Sequence, residues 1–93
     1  MSVNGARGEA VAVLGGERRR LCLTLGALAE IETALEVEGL DGLAERMRRL
    51  SARDLKAVLG ALLRGGGETD VDPGAVDPRE AAEAVARAFA AAA

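Results

Sequence analysis

The sequence predicts an α+β domain: an N-terminal β-hairpin followed by a small bundle of about four helices. Three observations predict it. Two segments rich in Val and Leu flank Gly15-Gly16 near the N-terminus, which is a hairpin signal. Downstream, apolar residues recur at spacings of three and four, with capping residues before the runs and Gly after several of them. The apolar content of 49% is almost wholly aliphatic, with one Phe and neither Tyr nor Trp, and Leu and Ala are strong helix formers.

Residues 1–8 (MSVNGARG) are small and polar and predict a disordered N-terminus. Residues 9–14 (EAVAVL) and 18–25 (RRRLCLTL) predict two strands. Leu21, Leu23 and Leu25 share one face of the second, and Val11 and Val13 share a face of the first. A two-residue loop would set Val11 opposite Arg20, whereas a three-residue loop, Gly15-Gly16-Glu17, sets it opposite Leu21. One step in register turns every side chain over, so burial favours the three-residue loop. A two-stranded sheet is marginal alone in water, so it either packs on the helices or extends across a dimer.

Thr24 is the natural N-cap of a first helix over 25–38, closed by Gly39, with Leu28, Ile31 and Leu35 as its stripe. Glu30, Glu32, Glu36 and Glu38 lie mostly off that stripe. A short second helix over 42–50, capped by Asp41, turns Leu43, Met47 and Leu50 inward and Arg46, Arg48 and Arg49 outward. The third helix carries the clearest signal. Ser51-Ala52-Arg53-Asp54 resembles a capping box, and Leu55, Val58, Leu59, Leu62 and Leu63 follow at helical spacing. Gly65-Gly66-Gly67 stops it, and 65–76 (GGGETDVDPGAV) reads as a flexible acidic linker. Asp77, Pro78 and Glu80 open an Ala-rich C-terminal helix over 77–93 with Val85 and Phe89 as its large anchors. The expected organisation is therefore a hairpin plus three-helix core over 9–64, the linker, and the last helix.

The chemistry that could be carried is narrow. There is no His, which removes the usual base near neutral pH and the commonest metal ligand. Cys22 is the single cysteine, so neither an internal disulfide nor a thiolate metal site is expected. Glu32 with Glu36, and Asp70 with Asp72, are carboxylate pairs, yet such spacing normally marks a solvated face. Acidic residues at 68, 70, 72 and 77 loosely suggest calcium, but the run lacks a calcium loop's central Gly and terminal Glu, and Pro73 interrupts it. Neither glycine cluster opens a helix, so neither cradles phosphate. No catalytic, cofactor-binding or metal-binding residue is assigned, and no cofactor is expected.

The net charge of −3 and the missing aromatics do not suit a dedicated nucleic-acid binder. The Arg groups at 18–20 and at Arg46, Arg48, Arg49 and Arg53 allow a phosphate-binding patch, but a solvated face paired with the Glu residues of the first helix is favoured. No apolar stretch is long enough to span a bilayer, and 1–8 lacks the apolar core of a signal peptide. A cytoplasmic, non-enzymatic protein that works by binding other proteins is expected.

Arg7 to Gly67 resembles the tail assembly chaperone family of gene transfer agents and siphophage-like tail clusters, a family also described as tail tube-associated. The resemblance is carried by RGEAVAVLGGERRRLCLTLGALAEIETAL, in which a Gly-turn hairpin leads into Leu21 to Glu32, and by LSARDLKAVLGALLRGGG, Leu50 to Gly67. It implies a protein that binds the helical tape-measure protein, keeps it soluble and delivers tail-tube protein for polymerisation, without a cofactor. A homo-oligomer is allowed. The alternatives are a structural tube or connector protein of the particle and, further off, a small nucleic-acid-binding regulator using the Arg cluster.

Overall fold

A computed structural model of the protein describes residues 9–92. The segment 1–8, expected to be disordered, and Ala93, expected to end the last helix, lie outside the described residues. The architecture is the expected α+β one, an antiparallel hairpin followed by four helices.

Strands β1 (Glu9–Leu14) and β2 (Glu17–Cys22) pair with Leu14 opposite Glu17 and Val11 opposite Arg20. The loop is therefore Gly15-Gly16 alone, not the expected three residues. These glycines have φ of 63° and 86°. Two consecutive positive φ values make a type I′ turn, whose twist matches that of the flanking strands. The face of β1 inverts accordingly, while Leu21 of β2 is buried as expected. Ala12, Leu14 and Leu21 are buried, while Val11 and Val13 stand 40% and 53% exposed.

Helix α4 (Pro78–Ala92) lies against β1 and buries Ala81, Ala84, Val85 and Ala88. The Ala side chains on both surfaces let helix and strand approach closely, with Val85 and Leu14 filling the space around them. Asp77 caps this helix, its carboxylate accepting from the Arg79 and Glu80 amides at 2.8 and 3.3 Å.

Helix α1 (Leu25–Leu35) begins as expected, with the Thr24 hydroxyl accepting from the Ala27 amide at 3.0 Å. Because β2 ends at Cys22, the alternation expected to carry Leu25 inward is broken, and Leu25 is 83% exposed. The helix also stops earlier than Gly39. Glu36 adopts φ 57°, the Val37 amide donates to the Glu32 carbonyl at 3.0 Å, and the Glu36 amide donates to Thr33 at 3.3 Å. That is a Schellman ending with Glu where Gly is usual. Helix α2 (Gly39–Met47) then starts three residues before the expected position. Asp41 does not cap it; the Glu32 carboxylate accepts from the Gly39 amide at 2.9 Å instead.

Helix α3 (Ala52–Gly65) is the hub, in contact with α1, α4 and β2. Its capping box is complete: the Ser51 hydroxyl accepts from the Asp54 amide at 3.1 Å, and the Asp54 carboxylate accepts from the Ser51 amide at 3.2 Å. Val58, Leu59, Leu62 and Leu63 are buried, whereas Leu55, expected among the most buried, is only partly so. Residues 65–76 run back along the hairpin and over α3. Glu68 bonds Arg19 and Arg20, and Pro73, which opens a 3-10 turn (Pro73–Ala75), lies over Gly60. How freely this segment moves depends on how firmly those contacts hold.

Candidate interaction surface

Each polar residue that the sequence singled out has a structural partner or stands alone on the surface. Glu32 caps α2, and Asp72 accepts from the Gly74 amide at 2.9 Å. Glu68 and Asp70 lie on Arg19 at 3.1 and 3.2 Å, and Asp77 caps α4. The acidic run 68–77 is thus consumed in joining the connection to the hairpin and starting the last helix. Among the described residues no group of three or more His, Cys, Asp or Glu is placed to hold a metal ion.

Local fields favour structural roles. The Arg20 amide and then the Arg19 guanidinium hold the Glu68 carboxyl below its ordinary range. Burial pushes the Asp54 carboxyl up, but hydrogen bonds from the Ser51 amide and the Arg46 guanidinium outweigh it and leave the group lowered. For Cys22, burial and then the Glu9 carboxylate push the thiol up, away from the thiolate that nucleophilic chemistry requires.

Arg18, Arg48, Arg49 and Arg53 are exposed, as a solvated face requires, but among the described residues none of the expected Arg residues pairs with a Glu of the first helix. Arg19 is held by Glu17, Glu68 and Asp70, Arg20 by Glu9, and Arg46 by Asp54 and the Leu35 carbonyl. A different residue, Arg64 of α3, reaches Glu30 of the first helix at 2.7 Å. Helix α1 packs mainly on α3, and its Glu32 carboxylate is taken up by the start of α2.

The apolar surface is more informative. Leu23, Leu40, Leu43, Ala44, Met47, Phe89 and Ala92 line a groove of about 260 Å³ between α2 and the end of α4. Leu43 forms its buried wall, and Leu40 stands 67% exposed. Sequence reasoning missed Leu40 because the second helix was expected to start at 42. The signal was present, since Leu40, Leu43, Ala44 and Met47 fall at i, i+3, i+4 and i+7. Phe89, 66 residues after Leu23, enters only through the docking of α4.

Among the described residues no helix is long and apolar enough to cross a membrane. No curated protein and no solved structure matches the chain. A family model described as "Phage tail tube protein, GTA-gp10" matches residues 7–93, taking in the hairpin, all four helices and the connections between them. On that match, the chain belongs to the GTA-gp10 phage tail tube protein family.

Proposed function

We propose that the protein is a non-enzymatic tail assembly chaperone that holds a helical segment of a tape-measure protein in the cytoplasm and passes tail-tube subunits to it. The observation that carries this reading is the groove with the exposed Leu40 at its rim. Helical clients present apolar side chains at i, i+3/i+4 and i+7, and such a row suits an apolar slot with polar flanks. Burying an exposed Leu is worth about 1.5–3 kcal/mol, so a few such contacts supply useful affinity without any charged partner.

Co-expression with the tape-measure protein of the same tail cluster tests it. The client should stay soluble and co-purify in moderate salt, because exposed ion pairs add little each. Leu40→Glu should leave melting unchanged and weaken retention at least tenfold. A client that stays insoluble, or is retained equally by Leu40→Glu, removes the reading.

A second reading, a structural subunit of the tail tube, is favoured by the family description. Mass spectrometry of purified particles separates the two. A tube subunit is present in many copies, and a chaperone is left behind.

A further inference from the structure

The two edges of the hairpin are finished differently. On β2 the Arg20 amide donates to Glu68 at 3.0 Å. Gly65 and Gly66 lie so close to the Cys22 and Arg20 carbonyls that a Cβ on either would sit 2.2 Å from the oxygen. That edge is closed by the chain itself. On β1, Val11 and Val13 alternate with the residues that bond across to β2, so their own amides and carbonyls point outward. The Val11 carbonyl meets only the Arg87 guanidinium, at 3.4 Å. Among the described residues, the Val11 amide and both backbone groups of Val13 have no partner. Natural sheets seldom leave such an edge bare beside exposed branched side chains.

A groove of about 400 Å³ runs beside this edge, lined by Val11, Val13, Arg18, Glu80, Glu83 and Arg87. Helix α4 walls it along its length. Glu80 accepts from the Gly15 amide at 2.9 Å at one end, and Arg87 reaches Val11 at the other. Glu83 lies between them in sequence and, among the described residues, makes no ion pair.

We propose that the β1 edge docks an extended segment of a partner protein, which adds as a third strand. The segment carries β-branched residues beside Val11 and Val13, and a Lys or Arg facing Glu83. Two observations select this occupant. Helix α4 already fills the layer beside the edge, so a second copy pairing β1 with β1 would bring its own α4 into the same space. A lone strand has no helix to accommodate. The unpaired Glu83 supplies charge complementarity to a basic side chain, while the open amides supply the backbone bonds that give strand addition its affinity. The long Arg87 contact holds the Val11 carbonyl until a strand amide replaces it.

The test uses the full chain and two labelled eight-residue peptides with Val or Thr at the positions beside Val11 and Val13, one with Lys at the alternate, helix-facing positions and one with Glu there. Fluorescence anisotropy should show saturable binding of the Lys peptide, at least tenfold tighter than the Glu peptide. Hydrogen exchange at the Val11 and Val13 amides should slow at least tenfold in the complex. Val13→Pro removes an outward amide without touching a bond to β2, and it should abolish binding. Should Val13→Pro not fold, Glu83→Lys on the exposed side of α4 should reverse the peptide preference. Binding of neither peptide, unchanged exchange at Val11 and Val13, or unchanged preference in Glu83→Lys overturns the proposal. So does sedimentation showing that the protein dimerises through this edge.

Discussion

Arg46 and Asp54 close the joint between α2 and α3: the guanidinium donates to the carboxylate at 2.7 Å and, through its other nitrogen, to the Leu35 carbonyl at 2.8 Å. The same carboxylate accepts from the Ser51 amide and is only 7% exposed. One side chain thus starts α3, and its partner ties the end of α1 to it.

Asp54→Asn should therefore lower the melting temperature, whereas Asp70→Asn, on a side chain 73% exposed, should not. The two lowered carboxyls also set the acid response. Because Asp54 and Glu68 bind protons less readily folded than unfolded, their contribution is fully present above the ordinary carboxylate range of about 4 and is lost as pH falls through the folded values. Melting should be level from about pH 8 to 5 and fall below about pH 4. An Asp54→Asn/Glu68→Gln double variant should start lower and fall less steeply. An equal slope in parent and variant would assign the acid response to other carboxylates.

Gly66→Ala should cost far more than Gly67→Ala at the end of α3. Its φ of −89° is ordinary, so the obstacle is space: the new Cβ would sit 2.2 Å from the Arg20 carbonyl oxygen. Gly67→Ala meets no atom within 4 Å but has φ 83°, a left-handed strain of about 1–2 kcal/mol. Thermal melts should rank Gly66→Ala well below Gly67→Ala, with the hairpin resonances shifted only in the former. Equal melts would mean that α3 does not abut β2 at this point.

Glu36→Gly should stabilise the protein. Glu36 is an exposed non-glycine residue at φ 57°, and Gly removes the left-handed penalty while adding some unfolded-state entropy. The net gain should be about 0.5–1 kcal/mol, which in a domain of this size raises the melting temperature by a few degrees. A lower melting temperature would show that the Glu36 side chain makes a contact that the left-handed cap hides.

Flexibility of 65–76 becomes measurable through Glu68. Limited proteolysis of the parent should cut within 65–76 before cutting within 9–64. Glu68→Ala, which removes the bonds to the Arg20 amide and the Arg19 guanidinium, should speed that cut severalfold without lowering the melting temperature of the remainder. If the rate does not change, Pro73 over Gly60, and not Glu68, holds the connection.

Local chemistry determined much of this protein from the sequence alone. The Gly-Gly turn, the Thr24 cap, the Ser51–Asp54 capping box, the Leu row of α3 and the Asp77 start of α4 each involve residues within four positions of one another, where backbone preference decides the outcome. The absence of His and the single Cys are equally visible there. The tertiary structure decided whatever depended on a distant surface. Val11 faces out because the Gly15-Gly16 turn sets it opposite Arg20, and Ala12 and Leu14 are the residues buried beneath α4, some seventy residues on. Leu40 became the rim of a groove because Glu32, not Asp41, starts α2, and because α4 brings Phe89 beside Met47. Alternating apolar residues leave two registers of nearly equal local merit, and turn geometry and the opposing surface together choose between them.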